Sequence, residues 1–169
     1  MATGLLLVRL VFGLLMAAHG SQKIFGWFGG YGLTGTGAFF EQLGFRPGRL
    51  FAAAAGWTEF LGGVLLAVGL GGPIGSAFIV SVMIVAVVSV HWGNGLFAAT
   101  NGIEVPLLYA AGAAALAFTG PGRYSLDALF DLLSMWTIAN AGIALGLAVV
   151  GAIANLAARQ SAVPSSLHA

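Results

Sequence analysis

The chain has 169 residues, of which 59% are hydrophobic and 7% are charged, and its formal net charge is +1. Soluble domains carry about 25% charged residues, so this composition indicates one integral membrane domain. The small net charge argues against a nucleic-acid partner, and the absence of cysteine excludes disulfides, thiol redox chemistry, iron–sulfur clusters and cysteine-bound zinc.

Five apolar runs reach or approach the roughly 20 residues that a membrane-spanning helix needs. They cover residues 5–18, 50–70, 74–90, 104–118 and 132–157. Because they lack the alternation of a membrane barrel, the sequence predicts an all-α membrane protein with an antiparallel four-helix transmembrane bundle and a fifth, C-terminal transmembrane helix. In one domain spanning 1–169, the bundle occupies 1–130, the added helix 131–159 and a polar tail 160–169.

The first run ends in the polar stretch MAAHGSQK, residues 16–23, which places His19 and Lys23 at one membrane face. We interpret this run as a retained helix rather than a cleaved signal peptide, because an arginine lies inside it. The connection that follows is rich in glycine and aromatic residues. Within it, TGAFFEQLGF predicts a short interfacial helix capped by Thr36, and a loose glycine-rich loop is the alternative.

Antiparallel threading brings polar side chains from three helices to one membrane face. His19 and Lys23 end the first helix, His91 ends the third, and Glu104 begins the fourth. Apolar walls with a few convergent polar groups are typical of small-ligand sites, so the sequence predicts a polar pocket with these residues at its rim. The alternative is a hydrogen-bonded cluster that only holds the helices together.

Two opposite charges lie inside the predicted spans. At the helical rise, Arg9 is roughly 15 Å deeper than His19, and Glu59 is roughly 13 Å deeper than Leu50 at the same face. A charge at mid-membrane costs about 2.5–3.5 kcal/mol on insertion scales. The matched depths therefore predict an Arg9–Glu59 ion pair, either as a structural link between two helices or as the floor of the polar pocket.

Four stretches resemble the DoxX family of small bacterial membrane proteins: LLLVRLVFGLLMAAHGSQKIFGWFGG, GWTEFLGGVLLAVGL, GIEVPLLY and GPGRYSLDAL. The resemblance covers about residues 4–130 and depends on the order and spacing of several family-like positions. In this chain those positions hold Arg9, His19, Gly20, Lys23, Glu59, Gly62, Gly63 and Glu104. The resemblance implies a four-helix bundle, so the fifth helix is an addition that it does not cover.

The resemblance also implies a link to membrane redox chemistry. A related DoxD subunit belongs to a thiosulfate:quinone oxidoreductase, and a DoxX protein is implicated in a membrane oxidoreductase complex. Our first hypothesis is a redox-associated subunit that binds a quinone-like or other small ligand, with quinone as the candidate cofactor. His19, Lys23 and His91 would supply hydrogen-bond donors, and Glu59 or Glu104 would exchange protons. No catalytic residue is assigned, and both enzymatic and non-enzymatic roles stay open.

Two other functions remain as alternatives. The first is a non-catalytic assembly subunit that docks other membrane subunits through the GxxxG face of the fifth helix, at Gly142 and Gly146. The second is a small proton-coupled transporter, because an intramembrane glutamate can carry a proton. We expect no metal site, since His19, His91 and Glu104 lack a pair of ligands on one helix.

Positive charges favour one orientation. Lys23, Arg46 and Arg49 border the long connection, and Arg159 follows the fifth helix on the same predicted side. An excess of such residues is typical of cytoplasmic segments. We therefore expect a multi-pass protein of a bacterial inner (plasma) membrane, with the lipid bilayer and other membrane subunits as its partners.

Overall fold

The computed structural model describes residues 2–160, and every regular element within that range is helical. Its α-helices are α1 (Ala2–Phe25), α2 (Gly32–Gln42), α3 (Gly48–Val68), α4 (Ile74–Ala86), α5 (Glu104–Thr119), α6 (Leu126–Leu129) and α7 (Ile138–Ala157). A π-helical segment, Val87–His91, continues α4, and 3-10 turns cover Trp27–Gly29, Trp92–Asn94, Ala98–Thr100 and Leu133–Met135. The all-α prediction is confirmed. The predicted tail beyond residue 160, which includes His168, lies outside the described residues.

Four of the described helices are long and apolar enough to cross a membrane: α1, α3, α4 with its continuation to Asn94, and α7. The remaining predicted span, α5, is a shorter apolar helix of 16 residues. Successive spans run in opposite directions, as predicted for an antiparallel bundle. One end of the bundle carries α2 and is called the α2 end below; the opposite end carries the short helix α6 and is called the α6 end.

The connection between α1 and α3 is folded. Its helix α2 packs against α3, and the Glu41 carboxylate accepts a hydrogen bond of 3.1 Å from the backbone N–H of Gly48. The helix begins at Gly32, with Tyr31 before it, so Thr36 lies within the helix and does not cap it. The cap prediction was wrong because the helix starts one turn earlier than the TGAFFEQLGF stretch indicates.

Glycines set the register between α1 and α3. A Cβ atom at Gly13 would lie 2.6 Å from the backbone nitrogen of Ala67, and one at Gly20 would lie 2.5 Å from the carbonyl oxygen of Gly56. Any side chain at these two positions would push the helices apart, so their backbones are in direct contact. Small residues permit such an approach in lipid, where packing replaces the hydrophobic effect. This register decides which charged residues of the two helices meet.

The predicted ion pair between Arg9 and Glu59 is wrong, because Glu59 pairs with Lys23 instead. Helix α1 continues to Phe25, about two turns beyond the end of the predicted apolar run at residue 18. Arg9 therefore lies close to the α6 end, where a Cβ at Gly69 would be 2.7 Å from its guanidinium carbon. It contributes neither to the Glu59 pair nor to the predicted pocket.

At the α6 end, Arg9 is 2% exposed and bonds to backbone carbonyl oxygens from two parts of the chain. Its Nε and Nη2 donate to Leu66 and Ala67, each at 3.2 Å. These carbonyls belong to the C-terminal end of α3, where the helix dipole favours a cation. The guanidinium also donates to Tyr124 at 2.8 Å and to Pro121. Arg9 thus ties α1 and α3 to the segment before α6.

Asp127 closes the same end from α6 and is 0% exposed. Its two carboxylate oxygens accept hydrogen bonds from the backbone N–H groups of Gly71, at 2.9 Å, and Gly72, at 2.7 Å. Its own N–H donates to the carbonyl of Gly69 at 3.0 Å. We call Arg9, Asp127 and the backbone groups that they bind the Arg9–Asp127 clasp. Every side-chain nitrogen and oxygen of these two residues has a partner.

Helix α7 packs mainly against α4, and its Ala148 belongs to the main hydrophobic core. Its C-terminal end is fixed at the α2 end, where Arg159 donates a hydrogen bond of 2.8 Å to the carbonyl of Leu43. The N–H of Gln160 donates to the carbonyl of Gly44, also at 2.8 Å. That residues 1–130 form a core which is independent of this helix stays a prediction.

Candidate ligand site at the α2 end

An ion pair between Lys23 of α1 and Glu59 of α3 lies inside the bundle towards the α2 end. The Glu59 side chain is 2% exposed and that of Lys23 is 29% exposed. Lys23 donates to Oε1 of the carboxylate, whereas Oε2 is buried and has no hydrogen-bond partner within residues 2–160. A buried polar atom without a partner carries a desolvation cost. In native proteins such an atom calls for a specific explanation, such as a water, an ion or a functional role.

A cavity of about 290 Å³ borders this ion pair between α1, α4, α5 and the segment before α5. Its polar wall consists of His19, Lys23, Glu59, His91, Asn101 and Tyr109. Its apolar wall includes Met16, Met83, Ala86, Val105 and Pro106. We call this cavity the polar chamber.

The structure places three of the four predicted rim residues, His19, Lys23 and His91, at the polar chamber. The fourth, Glu104, does not line it. Its carboxylate accepts a hydrogen bond of 2.8 Å from the backbone N–H of Ala98 and so closes the segment that leads into α5. A carboxylate is stabilised at this first position of a helix by the helix dipole, which explains Glu104 without a ligand.

Neighbouring groups orient both histidines. The Nδ1 atom of His91 lies 2.7 Å from the carbonyl oxygen of Asn101, and because a carbonyl only accepts, this nitrogen is the donor. The His19 ring stands edge-on to Tyr109, with 6.2 Å between ring centroids. Within residues 2–160, no three His, Asp or Glu side chains are grouped closely enough to hold a metal ion.

A second cavity, of about 270 Å³, borders the same ion pair between α2, α3, α4 and α7. Lys23, Glu59 and His91 line both cavities. The second cavity is otherwise largely apolar, with four aromatic side chains, Phe39, Phe40, Phe45 and Phe51. We call it the phenylalanine chamber.

Three polar residues also line the phenylalanine chamber: Ser81 of α4, Ser89 of the π-helical segment that follows it, and Asn155 of α7. The Ser89 hydroxyl is buried and has no hydrogen-bond partner among the described residues. Ser89 lies in the π-helical segment that continues α4, and such segments frequently occur at functional sites. The sequence hypothesis missed this chamber, although serines in an otherwise apolar helix were a signal for it.

Lys23 also reaches a third cavity, of about 550 Å³, between the end of α1 and α2. Gln22, Tyr31 and Phe39 contribute to its wall. Lys23 is therefore a side chain at which all three cavities meet. It is partly exposed on a flexible stem, and two of its three N–H donors are not used by Glu59.

Comparison with protein families matches residues 4–92 of this chain to the model of the DoxX family. The match covers just over half of the chain and extends from α1 to the π-helical end of α4. It includes Arg9, His19, Lys23, Glu59 and His91, whereas the stretches GIEVPLLY and GPGRYSLDAL lie beyond it. Searches of curated proteins and of solved structures return no significant match.

Proposed function

Since the chain belongs to the DoxX family and is a multi-pass membrane protein, we propose that it is a redox-associated subunit that binds a quinone-like ligand in the polar chamber. One observation carries this proposal: His19, Lys23 and His91 meet the buried Glu59 at one cavity with apolar walls. A few convergent polar groups in an apolar cavity are what a small-molecule site requires.

The hydrogen-bonding chemistry of the polar chamber supports a ligand with carbonyl oxygens. A quinone carbonyl only accepts hydrogen bonds, and Lys23 has three N–H donors, of which Glu59 uses one. Tyr109 and His19 can each donate another. Glu59 and His19 are placed to exchange protons with a bound headgroup.

The size of the polar chamber also fits a substituted ring. An engineered apolar cavity of about 150 Å³ already accommodates benzene, and the polar chamber measures about 290 Å³. Met16 and Met83 lie in its wall. Methionine side chains adapt to irregular shapes and make favourable contacts with aromatic rings, so they would pack against the faces and edges of a headgroup.

We also propose the inner membrane as the location, with the α2 end in the cytoplasm. Lys23, Arg46, Arg49 and Arg159 all lie at or beside the α2 end, whereas Arg123 is an exposed basic residue close to α6. An excess of basic residues near helix ends favours the cytoplasmic side.

The outward face of α7 favours a second candidate, a non-catalytic assembly subunit. Among the described residues, a Cβ atom at Gly142 or Gly146 would meet no atom within 4 Å. Ile143 and Leu147 on this helix are 63% and 66% exposed. Small residues at GxxxG spacing allow close helix contacts in lipid, so this face would receive a helix of another membrane subunit.

Binding measurements in lipid nanodiscs test the ligand proposal. We expect native mass spectrometry to detect bound decylubiquinone, and Lys23→Met and His19→Ala to weaken its binding by about tenfold each, the loss expected for one good hydrogen bond. Arg123→Gln is the matched control, because this exposed residue lies near the other end of the bundle, and its binding should equal that of the unmodified protein. Equal binding by all these variants would refute the proposal.

Gly146→Leu separates the second candidate from the first. If α7 docks a partner, this variant should lose co-purifying membrane subunits and keep decylubiquinone binding. If Gly146→Leu keeps its co-purifying subunits, the assembly role is contradicted.

A further inference from the structure

We infer that the phenylalanine chamber is a second ligand site, which takes a flat aromatic compound bearing a hydroxyl group. This site goes beyond the function proposed for the polar chamber, because it lies between different helices and offers different chemistry. Two residues that line a cavity with aromatic walls, Glu59 and Ser89, each carry a buried side-chain oxygen that has no partner within residues 2–160, and these two residues carry the inference.

The unpartnered oxygens define the polar end of the ligand. Glu59 is 1% exposed as a residue, and its ionised carboxylate beside Lys23 only accepts hydrogen bonds. Its free Oε2 therefore needs a donor. Ser89 lines only this one of the two chambers beside the ion pair, and a serine hydroxyl both donates and accepts. A ligand hydroxyl satisfies either oxygen, whereas an ether or a ketone offers nothing to Glu59.

The walls define the apolar body of the ligand. Phe45 is 1% exposed and its ring centroid lies 5.7 Å from that of Phe40 and 5.2 Å from that of Phe51, with both ring planes tilted by 44°. Aromatic rings prefer such tilted and offset contacts over face-to-face stacking, so another flat ring can extend the cluster. A volume of about 270 Å³ exceeds the roughly 150 Å³ that admits benzene, which leaves room for two fused rings.

A negatively charged ligand would be disfavoured. The Lys23 ammonium in the chamber wall is already paired with the Glu59 carboxylate, so an anionic ligand would compete with Glu59 for the same cation and would repel its carboxylate. The site therefore selects a neutral hydroxyl compound over an aromatic carboxylic acid.

Helix α7 offers a way to fill the chamber without disturbing its polar atoms. Within residues 2–160, a Cβ atom at Gly151 would meet only the Ser81 hydroxyl, at 3.8 Å, which is an ordinary contact distance. Gly151 lines the chamber, so a leucine there would extend into it. Gly146 on the same helix has open space around it, so Gly146→Leu is a matched control with the same change on the outward face.

The experiment measures binding of 2-naphthol and of 2-methoxynaphthalene to the full chain in nanodiscs, with binding to empty nanodiscs subtracted. We expect 2-naphthol to bind about tenfold more tightly than its ether, the discrimination expected for one hydrogen bond to a charged acceptor. Ser89→Ala should weaken 2-naphthol severalfold and leave the ether unchanged. Gly151→Leu should abolish binding of both probes, and Gly146→Leu should preserve it.

Equal affinities for the two probes, or unchanged binding by Gly151→Leu, would overturn the inference. Decylubiquinone binding by Gly151→Leu verifies that this variant is folded and keeps the polar chamber. If the unmodified chain binds 2-naphthol as expected but not decylubiquinone, the proposed function fails and the second site stands. If Gly151→Leu does not fold, Ser89→Ala tests the inference: weaker binding of 2-naphthol with unchanged binding of the ether supports it, and unchanged binding of both probes overturns it.

Discussion

At the α6 end, Arg9 and Asp127 have every side-chain nitrogen and oxygen bonded to a backbone group. At the α2 end, Glu59 has one oxygen bonded to Lys23 and the other bonded to nothing within residues 2–160. Both sets of charges are buried in a membrane protein, where an unpaired charge is costly. Their surroundings differ because the first set is enclosed by packed chain and the second borders cavities.

This difference separates charges that hold the fold from charges that remain available to a ligand. The Arg9–Asp127 clasp binds backbone atoms of the α3–α4 turn and of the segment before α6, which move only if the bundle opens. The Lys23–Glu59 pair joins two side chains, and one of them is flexible and partly exposed. We therefore expect substitutions in the clasp to act on stability, His19 substitutions in the polar chamber to act mainly on binding, and Lys23 substitutions to act on both.

The largest expected loss of stability follows from Arg9→Met. This change removes four hydrogen bonds from a buried cation, and a bond to a charged group contributes about 1.5–3 kcal/mol. Because removing the cation also removes its desolvation cost, we expect a net destabilisation of about 3–5 kcal/mol. Reversible unfolding in mixed detergent micelles measures it. Arg123→Met is the control and should change stability little, because that residue is exposed. Equal stability of both variants would show that the clasp does not hold the fold.

The two partners of the Lys23–Glu59 ion pair, at the α2 end, should respond unequally to substitution. Lys23→Met leaves the Glu59 carboxylate buried alone and should cost about 3 kcal/mol, at the lower end for a stranded buried charge. Glu59→Gln leaves a lysine that is 29% exposed and can extend towards the interface, so it should cost only about 1 kcal/mol. The same unfolding assay measures both variants. Equal losses would mean that Lys23 is held as firmly as Glu59, and the distinction between the two ends would weaken.

A smaller loss is expected for Asp127→Asn. The amide keeps one acceptor oxygen but turns an NH₂ group towards a glycine N–H, so we expect a destabilisation of about 2 kcal/mol from one unsatisfied buried donor. Asp131→Asn, an exposed acidic residue just beyond α6, is the matched control and should be nearly neutral. If Asp127→Asn leaves the stability unchanged, Arg9 alone provides the stabilising effect of the clasp.

Apolar run length predicted the helices well, since lipid leaves the backbone no alternative to internal hydrogen bonds. The end of α1 was missed because a helix continues beyond the hydrocarbon through polar residues such as Ser21 and Gln22. That error misplaced Arg9. The correct register depends on contacts at Gly13 and Gly20. Counting residues along each helix to estimate membrane depth does not reveal these contacts.

Antiparallel threading predicted that His19, Lys23 and His91 meet, because helix direction alone decides which membrane face each residue occupies. It did not predict the turn of Glu104 towards Ala98, since that depends on the local path of the chain before α5. The phenylalanine chamber was missed for a similar reason. Its outer wall is α7, whose position beside α4 depends on side-chain packing that the apolar pattern of the sequence does not specify.

The most direct test compares ligand-induced stabilisation in two variants from opposite ends of the bundle. A ligand at 100 times its dissociation constant stabilises a protein by about 2.7 kcal/mol, which raises the midpoint of thermal unfolding in nanodiscs. We expect Asp127→Asn to unfold at a lower temperature than the unmodified chain and to keep the full shift caused by decylubiquinone. His19→Ala should unfold at nearly the original temperature without ligand, and because its affinity is about tenfold lower it should lose about half of that shift. If both variants keep the shift, or if the clasp variant loses it and the histidine variant does not, the division between a structural end and a ligand-binding end is contradicted.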